Sequence, residues 1–121
     1  MNYILLIYGD PAGNDTATEA EQAQMMGEYF AFTQEIVDSG EMVSGEPLQG
    51  PETASTVSVR AGETTVTDGP FAETKEVLGG FYIVNVDSVE RAHELAAKIP
   101  GAKTGRIEVR PLMEVPARAD A

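Results

Sequence analysis

The chain has 121 residues with 20 acidic against 8 basic side chains, net −12 at pH 7, a field that repels nucleic-acid phosphates and anionic lipid. It has no cysteine, which excludes disulfides and thiolate metal sites, and its single histidine is His93. A hydrophobic content of 42% with 23% charged residues suits one globular domain that buries roughly two thirds of its unfolded surface.

In chain order, Asn2 to Tyr8 reads as a strand stopped by Gly9-Asp10-Pro11, and residues 11–16 as a polar loop. Its apolar core, Ile4 to Tyr8, is too short for a signal peptide and lacks a basic start, and no stretch reaches membrane-spanning length. The cytoplasm is the expected compartment, with neither nucleic acid nor membrane as partner. Thr18 with Glu21 three residues later forms a capping box that opens a helix running to Ser39, with Gly40 as its C′ stop. Met26, Tyr29, Phe30, Thr33, Ile36 and Val37 fall at helical spacing and are expected in the core. Met42 to Leu48 reads as a second strand. Thr56 to Arg60 and Thr64 to Thr67, joined by Ala61-Gly62-Glu63, read as a hairpin. Phe81 to Val86 is a strong strand, and Asp87 or Ser88 caps a second helix to Ile99, ended by Pro100-Gly101. Arg106 to Arg110 is the last strand. The domain is expected to span residues 1–115, with 116–121 as a disordered tail.

This order predicts an α+β fold: a ferredoxin-like split βαβ with an inserted β-hairpin, both helices on one sheet face. The first strand then sends Tyr3, Leu5 and Ile7 to one face and Ile4, Leu6 and Tyr8 to the other. Phe81 and Ile83 oppose Tyr82, Val84 and Val86 in the same way. Strands apolar on both sides want both sides dry. At about 25 cal/mol per Å², leaving a few such side chains wet forgoes several kcal/mol. A homodimer stacked through the open face resolves the conflict.

The segment Asp68-Gly69-Pro70-Phe71-Ala72-Glu73-Thr74-Lys75-Glu76 holds most of the chemistry. Asp-Gly favours a turn, and Pro70 fixes its own φ and pushes Gly69 away from the helical region. A turn that only reverses the chain needs neither Phe71 nor the Glu73, Lys75, Glu76 alternation. The simpler alternative is a connector with Phe71 tucked into the core. Asp68 is the candidate catalytic residue, a strand-end carboxylate desolvated by Pro70 and Phe71 so that it can serve as a base, or else an Asx-turn former. Glu73, Lys75 and Glu76 place a cation among carboxylates for substrate binding or proton transfer, or form a solvated rim. Tyr8 and Tyr82 offer hydroxyls to a cavity, or are half-buried structural tyrosines. Arg110 anchors a substrate carboxylate, or neutralises Glu108 or Glu46. The carboxylate pairs Glu19/Glu21 and Glu73/Glu76 follow no spaced ligand pattern, and phosphate-loop, dinucleotide and Gly-x-Ser-x-Gly motifs are missing, so no metal and no cofactor are expected. Gly79-Gly80 fits close backbone packing better than phosphate binding.

Thr67 to Glu76 resembles the signature of the DGPF-type YCII-related proteins. Tyr3-Ile4-Leu5-Leu6-Ile7-Tyr8, Gly45-Glu46-Pro47-Leu48, Gly79-Gly80-Phe81-Tyr82 and Val109-Arg110-Pro111 fit the same family in the same order. The resemblance runs from Met1 to Pro111 and implies a ferredoxin-like protomer that dimerises as an α+β barrel. It implies little about the reaction. YCII-type relatives outside this branch use a histidine–aspartate pair with the histidine in the first helix, and this first helix has none. His93 lies in the second helix beside Val89, Ala92, Ala96 and Ile99, as a boundary residue. Three functions follow: a small-molecule enzyme using Asp68, a ligand-binding or sensing module using the same cavity, or a regulatory partner. The last reflects the frequent placement of DGPF-type genes beside extracytoplasmic-function sigma factors.

Overall fold

The computed structural model describes residues 1–116, with backbone only at Asn14 and Asp15. The expected tail, apart from Pro116, lies outside the described residues. Eight apolar-rich residues form β1 (Asn2–Gly9), an inner strand of an antiparallel sheet. The strands β2 (Met42–Pro47), β5 (Val77–Asn85), β1 and β6 (Arg106–Pro111) follow one another across it in that order. Leu5 stands opposite Tyr82 of β5 and Val109 of β6, and Leu6 opposite Phe81 and Glu108.

The long helix α2 (Glu19–Asp38) follows a short turn of helix, α1 (Ala12–Asp15), where a polar loop was expected. Asp10 causes the difference: its Oδ1 accepts from Ala12 N–H at 2.9 Å and its carbonyl from Gly13 N–H at 3.1 Å. Thr18 and Glu21 make both bonds of the capping box. The helix closes with Gly40 at φ 79°, where Gly40 N–H bonds Val37 O and Glu41 N–H bonds Ile36 O, a Schellman pair. Ser88 caps α3 (Val89–Lys98), accepting from Arg91 N–H. His93 is exposed on that helix. Among the described residues no helix is long and apolar enough to cross a membrane.

Both long helices cover the same face of the sheet. Phe32 and Ile36 of α2, and Ala92, Leu95 and Ala96 of α3, bury against Tyr3, Leu5, Tyr82 and Val84. The expected α2 stripe is half right. Tyr29, Thr33 and Ile36 turn inward with Phe32, but Met26, Phe30 and Val37 stand 60%, 68% and 50% exposed. The apolar arc of α2 is wider than the contact one helix makes with a sheet, so its far side is left over. Tyr29 packs against the turn after α3. Its hydroxyl accepts from Gly101 N–H at 3.1 Å, and burial pushes its pKa up against the opposing pull of that bond.

Two elements depart from their expected lengths. The hairpin β3 (Ser55–Arg60) and β4 (Glu63–Asp68) turns on two residues, not three, because Ala61 (φ 50°) and Gly62 (φ 79°) adopt the primed geometry that matches strand twist. Strand β5 starts four residues early, at Val77, because Leu78 and Val77 pair with Tyr8 and Gly9 across a bulge that leaves Gly79 unmatched.

At the edge of the α3 end, Glu41 takes two bonds from the Arg91 guanidinium, at 2.8 and 3.0 Å. That hydrogen bonding, with a further one from Ser39, holds the Glu41 carboxyl below its usual range. The folded state therefore binds this proton less tightly than the unfolded chain. Its contribution is complete above the unfolded pKa of about 4.3 and disappears as pH falls below it. Glu41→Gln should lower stability at pH 7 by about 0.5–1 kcal/mol, the range of a partly exposed pair after solvent screening. Thermal midpoints of variant and parent should converge between pH 5 and about pH 3, and a constant gap over that interval would refute the assignment.

Candidate functional site

The open face of the sheet, opposite the helices, leads at one end into a cleft of about 860 Å³. Three segments build it. The end of β1 contributes Tyr8 and Asp10, the start of β6 contributes Thr104, Arg106, Ile107 and Glu108, and the motif loop contributes Thr74, Lys75 and Glu76. The β1–β6 register sets Tyr8 opposite Arg106 and Leu6 opposite Glu108, so these side chains share the open face. Gly105 makes the close approach at this corner, because a methyl group there would fall inside contact distance of the Tyr8 carbonyl.

Local bonds fix the charged groups. Thr74 Oγ1 donates to Glu76 O at 2.6 Å, closing the loop just before β5. Arg106 Nε lies 3.3 Å from Glu76 Oε1, and Arg110 Nε lies 3.8 Å from Glu108 Oε2. Lys75 joins no ion pair among the described residues. Asp10 spends one carboxylate oxygen on the start of α1, and its other oxygen has no partner among the described residues. An unpaired ammonium and a half-used carboxylate thus open onto one cleft, together with a tyrosine hydroxyl and two threonines. Such a set can hold an anionic group and exchange a proton. No group of three or more potential metal ligands gathers among the described residues.

Of the residues singled out in the sequence, Tyr8, Lys75 and Glu76 meet here. The others do not. Tyr82 is buried beneath α2, with its hydroxyl 2.8 Å from Thr33 Oγ1 and its ring edge-on to Phe32 at 5.1 Å. It is a core residue on the opposite face. Arg110 pairs with Glu108 and sits across from Ile4, toward the far end of the sheet. Asp68 ends β4 opposite Ser55 and is exposed, so the desolvation expected from Pro70 and Phe71 is missing. Phe71 itself is 89% exposed and Gly69 has φ 94°, so the loop swings outward and tucks nothing into the core. Glu73 is exposed and outside the cleft. Asp10 and Arg106 went unremarked in the sequence as site residues. The signals were a carboxylate directly after a strand end, and an arginine two residues before Glu108 on the same strand face.

A second depression of about 560 Å³ opens at the other end of the sheet, and the Glu41–Arg91 pair lines it. Glu41 and Arg91 neutralise each other there.

An antiparallel four-stranded sheet in this order, with both long helices on one face, is a ferredoxin-like α+β domain. The YCII-related domain matches residues 1–116, and the chain belongs to that family. An uncharacterized protein of Rhizobium meliloti (strain 1021) is 37% identical over 114 residues, covering 93% of this chain and 92% of its own. The fold is similar to that of 5-chloro-2-hydroxyhydroquinone dehydrochlorinase from Burkholderia phenoliruptrix AC1100, solved in complex with 2,5-dihydroxybenzoquinone. That likeness has a TM-score of 0.58 at 14% identity and covers 95% of this chain and 96% of the other.

Proposed function

We propose that this YCII-related protein is a small-molecule enzyme whose site is the cleft between the end of β1, the start of β6 and the motif loop. The observation that carries the reading is the meeting of unpaired Lys75 with the half-used Asp10 carboxylate beside Tyr8. Lys75 holds a carbonyl oxygen of the substrate and offsets the negative charge that develops on it, and Tyr8 donates a hydrogen bond to the same oxygen. Asp10 removes a proton from the position that this oxygen acidifies and returns it elsewhere on the molecule or to water. The proton-transfer role that the motif suggests for Asp68 falls to Asp10, since Asp68 stands outside the cleft. Glu76 and Arg106 compensate each other and shape the wall. The same fold serves small-molecule chemistry in the dehydrochlorinase. The reading includes a homodimer through the open sheet face, where Ile4, Leu6, Phe81 and Ile83 remain partly exposed.

The test begins with mass spectrometry of compounds that co-purify with the protein from lysate, followed by titration of the compound recovered. Lys75→Met should weaken its binding at least tenfold. Asp10→Asn should keep most of the affinity and lower turnover by about 10²-fold, the usual scale for a lost acid–base group. Binding and turnover unchanged in both variants would remove the cleft as the site.

A further inference from the structure

The β3–β4 hairpin has its polarity reversed. Ser55, Val57 and Val59 share a face with Asp68, Val66 and Thr64, and the valines on it are 60%, 57% and 65% exposed for Val57, Val59 and Val66. The other face, carrying Thr56 and Ser58, is the partly covered one. Among the described residues the ribbon has no broad contact with the main sheet or the helices. Its base is closed within itself, by Gly69 N–H to Ala54 O at 2.7 Å and Thr56 Oγ1 to Gly69 O at 2.8 Å. A two-stranded ribbon in water is marginal unless its apolar face packs on something.

We infer that this hairpin is an intersubunit arm whose valine face lies against a second copy of the chain, which returns the contact by two-fold symmetry. The inference rests on the dimer reading above and adds the arm to it. Area argues for a second copy. The three valines expose roughly 300 Å² per copy, well under the ~800 Å² per partner that a stable interface buries. The open sheet face, with Ile4, Leu6, Leu78, Phe81 and Ile83, is another unpartnered apolar sheet surface among the described residues and adds to that area. One symmetric partner covers both. The ribbon is tethered to that sheet at both ends, leaving β2 and returning through the motif loop to β5. Charge permits it. Each copy carries −12, yet this ribbon face carries only Asp68, at its base. The cleft's Tyr8, Arg106 and Glu108 belong to the same open sheet face. A partner seated there walls the cleft, which is incomplete in one chain.

The test compares Val57→Asp/Val66→Asp with Leu6→Glu by sedimentation and light scattering over a concentration series. The parent should be a dimer. The valine double variant should raise its dissociation constant at least a hundredfold while circular dichroism shows the main sheet and helices intact. Should that variant misfold, Val57→Cys decides the matter, since the chain has no other cysteine to label. A nitroxide there should be immobilised in the dimer and freed on dilution. A monomeric parent, a double variant that dimerises like the parent, or a label that is mobile in the dimer overturns the arm. If Leu6→Glu alone dissociates the dimer, the arm is lost and the sheet-face dimer stands. If the valine variant alone does so, the arm stands and the sheet-face reading falls.

Discussion

Leu5→Ala should cost about 3 kcal/mol of folding stability, within the 2–5 kcal/mol range for leucine truncation in a packed core. Leu5 is fully buried at the centre of the helix-covered face, flanked by Tyr82 and Val109 on the neighbouring strands and capped by side chains of α2 and α3. No rigid neighbour can follow the retreating side chain, because β1 is pinned by strands on both sides. For a domain of this size the loss corresponds to a fall of roughly 10–15 °C in thermal midpoint. Urea unfolding should show a lower midpoint with an unchanged slope. A loss under about 1 kcal/mol would mean that the helices do not pack on this face as described.

Leu6→Glu, one residue along, should have the opposite character. Leu6 points to the other side of the sheet and is only partly covered within one chain. A glutamate there meets solvent in the monomer, so the fold should survive, with an unchanged circular dichroism spectrum at room temperature. In the proposed dimer the same carboxylate enters a dry interface with no cation assigned to it, at a cost of several kcal/mol for each of the two symmetric copies. The dissociation constant should rise by at least about a hundredfold, read as a shift from dimer to 12.9 kDa monomer in light scattering at micromolar concentration. An unaltered dimer would place the interface elsewhere. The contrast between the two neighbours depends on the period-two alternation of a strand and on nothing else in the sequence.

Only part of the motif reaches the proposed cleft. Its charged residues read as one cluster in sequence, but the loop divides them. Thr74, Lys75 and Glu76 adjoin β5 and are carried to the end of β1, while Asp68 stays with the hairpin and Glu73 faces solvent. Gly69 at positive φ marks the point of divergence.

What the sequence determined by itself was the helix caps and the order of the elements, while the α1 turn and the two-residue hairpin turn escaped it. Thr18 with Glu21, Gly40 and Ser88 placed the helix ends, because a cap bonds backbone groups within a few residues. The apolar runs of β1 and β5 marked the inner strands of the sheet, and their order with the helices was enough for the ferredoxin-like arrangement. The tertiary structure decided which apolar residues are core and which polar residues are neighbours. Met26 and Phe30 share α2 with Phe32 and Ile36, but only the sheet's position says which side of the arc is buried. Tyr8 and Tyr82 both lie in apolar strands. The antiparallel register sends the first to the cleft and the second beneath α2. Asp10 and Arg106 are 96 positions apart in the chain and line one cleft because β6 runs back along β1. No local pattern encodes that juxtaposition, since it depends on strand pairing across nearly the whole chain.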